Sequence, residues 1–404
     1  MFDYEILRLI WWALLGILLI GFALTDGFDL GTAALLPFVA RTDVERRMVI
    51  NTIGPVWEGN QVWFILGGGA IFAAWPFVYA VSFSGFYLAM FLVLAALILR
   101  PVGFKYRSKR HDPAWRSRWD WALFVGGLVP ALVFGVAVGN VLLGAPFRLD
   151  SDLRAFYDGG LLGLFSPFTL LCGLLSVAML VLHGATWLTF KIEHGPVHDR
   201  ARSYGCIAAI ASVVLFALGW AYVAFGNVGY QMTSLPDPAG ASNPLHTVTA
   251  PAAGAWLANY GRYPWMMVAP ILGFAGTVLA FVGITRGWEK TSFGGSALGA
   301  AGHHRDGRIV DVPLHPALEH RSAFQPHRLE RLFEPEDAWN HARGDGGLPA
   351  DRARLHRLGL QDHVGPADHR RRFHASGLLL IGGSLPCGIS PGFSGSASRS
   401  ASVS

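Results

Sequence analysis

Seven apolar stretches punctuate the chain, at residues 6–24, 62–80, 85–99, 121–143, 161–182, 207–225 and 265–284. Most approach the roughly 20 residues a helix needs to cross a hydrocarbon core of about 30 Å. In lipid a backbone must satisfy its own hydrogen bonds, so these stretches are expected to be helices. The first is too long for the apolar part of a signal peptide, and no small-residue cleavage site follows it, so it reads as a first span. A very short hairpin at Trp75 and Pro76 is expected between the second and third spans, which predicts antiparallel neighbours packed along their length. Gly67, Gly68, Gly69, Ala70, Ala73 and Ala74 would let those backbones approach closely.

The polar connections alternate in character. Residues 41–47, 100–118 and 191–202 are rich in Lys and Arg, whereas 144–160 and 227–260 are not. Under the positive-inside rule the basic connections face the cytoplasm and the N-terminus faces outward. Trp11, Trp12, Trp75, Tyr79, Trp119, Trp121 and Trp265 lie near span ends, where amphipathic rings anchor at the interface. The connection at 236–251, rich in Pro, Ala, Ser and Asn, has no helical period and is expected to be irregular.

Composition agrees with this pattern. Of 404 residues, 52% are apolar and only 15% charged, and mean hydropathy is +0.39, so the chain cannot cover itself in charge as soluble proteins do. The fold class is therefore an all-α polytopic membrane protein, an antiparallel transmembrane helix bundle. The three cysteines, Cys172, Cys206 and Cys387, are too scattered for a disulfide framework or a CxxC site. A formal charge of +5 is explained by basic loops beside the lipid bilayer and not by nucleic-acid binding.

Candidate chemistry centres on NTIGPVWEGNQVWFILGGG, residues 51–69, where Glu58 and Asn60 stand between Trp57 and Trp63 at the mouth of an apolar run. A charge at mid-helix costs about 2.5–3.5 kcal/mol on insertion scales, less near an end, so such a residue is paired, hydrated or functional. Asp26 and Asp29, in TDGFDLG, share a helical face if the first helix continues, while Gly27 and Gly31 permit a turn. With Glu58 and Arg100 these acids would form a charged cluster on the cytoplasmic side. Two readings stand: a proton path, since carboxylates in such surroundings can exchange protons near neutral pH, or a structural ion pair of Asp29 or Glu58 with Arg100. Trp57 and Trp63 offer flat faces to a quinone, or simply pack. His183 has no second histidine at helical spacing, which favours a packed histidine over a haem or metal ligand, and no residue is assigned to a metal. A secondary transporter with membrane-embedded carboxylates is the alternative, although no inverted repeat is evident.

The strings LIWWALLGILLIGFALTDGFDLG, RTDVERRMVINTIGPVWEGNQVW, GGGAIFAAWPFVYAVSFSGFYLAM and LRPVGFKYRSK, with AVGNVLLGAPF, HGATWL, ASNPL and AGAWLANYGRYP, closely resemble subunit II of the cytochrome bd quinol oxidases, from Met1 to about Gly302. The resemblance implies a haem-free chain in the bacterial cytoplasmic (inner) membrane. Its partner would be a subunit I that carries haems b and d and oxidises membrane quinol to reduce O2, with a small accessory membrane subunit possible. It implies a proton path through Glu58, Asp29 and Arg100, with Asp26 nearby, a structural quinone site near Trp57, and an oxygen route near Trp63, with Asn60 between them. Nothing in the chain offers paired helical histidines, so it is not expected to reduce O2 alone.

After Gly302 the character changes to HHRDGRIVDVPLHPALEHRSAFQPHRLERLFEPEDAWNHARGDGG, and ten of the fifteen histidines lie in residues 303–404. The spacing fits neither a metal-binding nor a nucleic-acid-binding motif. The family continues here with a pattern like AGII, MFPFILPSS, TVWNASSS and a last span ending YTAWVY. Codons for His303 and His304 read one base later give Ile-Ile, and residues 311–320 can likewise spell MFPFILPSS. Residues 327–335 and 355–361 accommodate the other two patterns, in order. These matches imply a one-base insertion, or an equivalent two-base loss, near the codon for Gly302. The expectation is about seven complete spans of nine in residues 1–302, followed by an out-of-frame, disordered, basic tail at 303–404.

Overall fold

The computed structural model describes residues 4–144, 147–149, 155–157, 160–226, 229–232, 249–252 and 255–309. In chain order it contains α1 (Tyr4–Val39), α2 (Asp43–Ile53), α3 (Trp57–Ala74), α4 (Pro76–Gly85), α5 (Tyr87–Tyr106) and α6 (Pro113–Leu143). A two-stranded ribbon of β1 (Phe147–Leu149) and β2 (Ala155–Tyr157) precedes α7 (Pro167–Lys191) and α8 (Pro196–Phe225). A second ribbon, β3 (Tyr230–Met232) with β4 (Thr249–Pro251), leads to α9 (Ala258–Arg262), α10 (Val268–Arg286) and α11 (Glu289–Ile309). The remainder of the irregular stretch at 236–251 and all of the tail beyond 309 lie outside the described residues.

Among the described residues, six stretches are long and apolar enough to cross a membrane: Ile10–Val39, Tyr87–Lys109, Pro113–Leu143, Pro167–Lys191, Pro196–Phe225 and Pro264–Arg286. The remaining expected stretch, 62–80, falls on α3 and α4. At 18 residues α3 is about 27 Å long.

Helix ends fall where the sequence supplies caps. Thr42 opens α2 with a reciprocal capping box to Glu45, and Ser166 does the same for α7 with Thr169. Asp112 caps α6, with Pro113 in its first turn, where a missing N–H costs nothing. At the end of α10, Gly287 adopts φ 71°, the left-handed conformation that closes a helix and that glycine enters without strain.

The core of the bundle is α1, α6 and α7. On one side α8, α10 and α11 complete it, and on the other α3 packs on α1 while α5 packs on α6. Lipid gives apolar surfaces little reason to prefer each other, so small residues that admit close backbone contact set the crossings. A Cβ on Gly31 or Gly184 would collide with the facing backbone of α7 or α1. The α10–α11 pair closes similarly, with Gly276 against Gly295 and Gly299, and Gly273 against Gly302.

Three expectations change. First, α1 does not turn at Gly27: it runs unbroken past Asp26 and Asp29 to Val39, and Gly27 and Gly31 serve as seats for α7. Second, Trp75 and Pro76 do not form a helical hairpin. The chain breaks there, α4 intervenes, and α3 and α5 do not pack along their lengths. Added Cβ atoms on Gly68 and Gly69 would meet nothing within 4 Å, so those glycines seat no other helix among the described residues. Third, α11 is a bundle helix beyond the last apolar stretch, and it continues through Gly302 to Ile309, so the first residues of the expected tail are helical. Its Gly, Ala and Ser content hides it from a hydropathy reading while suiting it to pack on α10, α7 and α1.

Candidate functional site

Because α1 stays helical, Asp26 and Asp29 point to one side, toward α5. Arg100 on α5 meets Asp26 as a bidentate pair, donating Nη1 to Oδ2 at 3.0 Å and Nη2 to Oδ1 at 2.6 Å. The same Nη2 lies 3.9 Å from Asp29 Oδ2. Asn60 Nδ2, from α3, donates to Asp29 Oδ2 at 2.9 Å. Asp26, Asp29 and Arg100 are each no more than 1% exposed. Gly126 on α6 makes the room, since a Cβ there would stand 3.1 Å from Arg100 Cγ.

The charge count is uneven: two buried carboxylates share one guanidinium. Asp26 takes both forks of Arg100. Asp29 keeps an amide donor and a distant cation on one oxygen, while its Oδ1 and the Arg100 Nε have no hydrogen-bond partner. A buried carboxylate oxygen with no donor is costly and calls for an explanation.

Of the other candidates, Glu58 is not in this cluster. It is exposed on α3, at the head of an outward face that continues through Val62, Ile65, Leu66, Gly69 and Phe72. Trp57 is buried with its ring 5.3 Å from Phe104, so that face is taken by packing. Trp63 lies flat on Gly21 of α1, where a Cβ would stand 2.6 Å from the indole. A crevice lined by Phe86, Leu92, Val133, Asn140 and Leu164 involves neither tryptophan.

His183 sits in the core of α7 with both nitrogens engaged. Nε2 faces the Leu24 carbonyl at 3.0 Å and therefore carries the hydrogen, leaving Nδ1 to accept from Ser296 Oγ at 2.8 Å. The ring stacks on Phe293 at 4.9 Å. A histidine held this way has no lone pair to offer haem iron.

At the basic end of the bundle a second charged network fixes α2. Asp120 on α6 accepts from Arg107 at 2.5 and 3.2 Å and from Arg46 at 2.8 Å. Asp43 accepts from Arg107 at 2.8 Å and from Arg116. Glu45 accepts from Arg200 at 2.7 Å. The Arg200 hydrogen bond outweighs burial and holds the Glu45 carboxyl at about 2, well below its ordinary range. Burial alone would raise Asp43, but Arg107 and Arg116 overcome it and the group lies below its ordinary value.

Residues 7–301 match the family model of cytochrome bd terminal oxidase subunit II. The chain belongs to that family. It is 52% identical over 273 residues to cytochrome bd-I ubiquinol oxidase subunit 2 of Escherichia coli K12, covering 68% of this chain and 72% of that protein. Identity to the probable cytochrome oxidase subunit 2 of Haemophilus influenzae is 51% over 279 residues, 69% and 73% of the two chains. The Bacillus subtilis cytochrome bd ubiquinol oxidase subunit 2 is 36% identical over 193 residues, 48% and 56%. A solved bd oxidase from Geobacillus thermodenitrificans shares the fold, with a TM-score of 0.53 at 12% identity over 87% of this chain and 98% of that one. Membership displaces the transporter reading. With six apolar helices, it makes this subunit II a multi-pass protein of the bacterial inner membrane.

Proposed function

We propose that this chain is the haem-free partner in a terminal quinol oxidase, pairing with a haem-bearing subunit I that passes electrons from membrane quinol to O2. The chemistry at the reacting centre belongs to that partner's haems; what this chain supplies is a proton route from the basic, cytoplasmic end of the bundle. The observation that carries this reading is the uneven cluster of Asp26, Asp29, Arg100 and Asn60. Asp26 neutralises Arg100, so Asp29 is the group left to hold and release a proton at Oδ1. Arg100 orients the pair, and Asn60 fixes the other Asp29 oxygen. Glu58, on the outward face of α3, belongs at the boundary with subunit I, where it delivers protons across the subunit contact.

The reading frame bears on activity. The family match stops at residue 301, and His303 occupies a seat suited to an aliphatic side chain. Its ring stands 4.2 Å from that of Phe216 and 3.5 Å from where a Gly273 Cβ would lie. The Gly299 carbonyl one turn back addresses the ring out of hydrogen-bond geometry, and neither ring nitrogen has a hydrogen-bond partner. A shifted codon giving Ile would fill that seat without a polar cost.

The test is co-expression with subunit I, comparing this polypeptide with one restored to the family frame after Gly302. Quinol-dependent O2 uptake is expected only from the restored chain, and full activity of the present polypeptide refutes the frame reading. In the restored complex, Asp29→Asn is expected to lower turnover by about a hundredfold or more with the haem spectrum intact, and Glu58→Gln to slow proton uptake. Unchanged turnover and proton uptake in Asp29→Asn would end the relay assignment.

A further inference from the structure

A second group of potential ligands lies away from the membrane acids, where the turn between α7 and α8 meets the start of α11. His194 lies in that turn, His198 in the first turn of α8, and Glu289 is the first residue of α11. Their ligand atoms all fall within 4.8 Å of one another. His198 Nε2 stands 3.6 Å, and His194 Nε2 3.8 Å, from Glu289 Oε1.

The hydrogen bonding of His198 makes this arrangement informative. Its Nδ1 lies 3.4 Å from Asp199 Oδ1, a carboxylate that can only accept, so Nδ1 carries a hydrogen and the neutral ring keeps a lone pair on Nε2. That Nε2 is buried, on a residue 3% exposed, and has no hydrogen-bond partner. A lone pair and a carboxylate oxygen thus face each other across a short gap, with a second imidazole on the same side. Two acceptors in that position call for a metal ion or a proton between them. A histidine whose far nitrogen is held by a carboxylate is also the arrangement that orients metal-ligating imidazoles.

We propose that His194, His198 and Glu289 bind a divalent ion of the zinc class, with water completing a four-coordinate shell. Two imidazole nitrogens and one carboxylate oxygen are a donor set that Zn2+ accepts. Bonds of about 2.0–2.1 Å place tetrahedral ligand atoms about 3.3 Å apart, so the two Glu289 edges need to close by only about half an ångström. His194, whose side chain is 79% exposed, can swing to meet the ion. The bound ion fastens the first turn of α11 to the turn between α7 and α8, and the exposed His194 side leaves it exchangeable.

The test uses the full chain in detergent, carrying a purification tag without histidines, titrated with Zn2+ by calorimetry and with Co2+ by its visible ligand-field bands. Because the ten histidines beyond residue 302 are common to every variant, the difference between proteins is what counts. Wild type is expected to bind one equivalent more than His194→Ala and one more than Glu289→Gln, and to show tetrahedral Co2+ bands that both variants lose. Zn2+ should slow amide exchange in the first turn of α11 in wild type alone. His194→Ala changes an exposed side chain and keeps the fold intact. If either variant retains the equivalent and the bands, the three-ligand site is refuted. A proton shared between His198 and Glu289 then accounts for the geometry.

Discussion

The two charged networks of this subunit follow opposite rules. At the basic end, three arginines (Arg46, Arg107 and Arg116) serve two carboxylates, Asp43 and Asp120, and every carboxylate oxygen there accepts a hydrogen bond. Between α1 and α5, one arginine serves two carboxylates, and one oxygen of Asp29 is left without a donor. The first is built to hold a connecting helix against the bundle. The second leaves Asp29 Oδ1 without a hydrogen-bond partner at full burial.

Substitutions can separate the two. The largest effect is expected from Arg100→Met, which leaves two buried carboxylates without a cation and should destabilise the subunit by about 3–5 kcal/mol, seen as loss of folded protein in detergent. Arg107→Met should cost less, about 1–3 kcal/mol, because Asp120 keeps Arg46 and Asp43 keeps Arg116; thermal unfolding of the two variants side by side measures the difference. If Arg107→Met proves the more damaging, the contrast between the networks is wrong. His303→Ile should raise stability by about 1–2 kcal/mol, since it removes two unpaired buried nitrogens from an apolar seat.

The smallest effect is a matter of pH. Glu45 is held at about 2, below its ordinary 4.5, so its contribution to stability is fully present above 4.5 and disappears as pH falls through 2. Asp43 is lowered in the same direction. The melting temperature should therefore decline over that acid window, and Glu45→Gln should flatten the decline. An unchanged slope would show that α2 is not held by this carboxylate.

Much of the bundle was legible because apolar runs of span length have few other uses, and the alternation of basic connections grouped α2 with the starts of α6 and α8. The partner of Arg100 was less so. Sequence spacing places Asp26 and Asp29 on one face, and which of them takes the guanidinium depends on the phase of α1 against α5. The outward position of Glu58 was hidden for a related reason. Both faces of α3 are apolar beyond its first turn, so no stripe announces which side turns away. The eighth long helix was missed because glycine and alanine, which let α11 lie against α10, are the residues a hydropathy reading discounts. The pairing of His194 and His198 with Glu289 spans distant segments that only the fold unites.

The glycine contacts between α10 and α11 end at Gly273 and Gly302, so on the proposed frame reading the helix pair is complete before the register is lost. On that reading, a chain of this sequence would carry a helical bundle, α1 through α11, that looks sound to an assay of expression or membrane insertion. The proposed lesion would then surface as lost quinol-dependent O2 uptake.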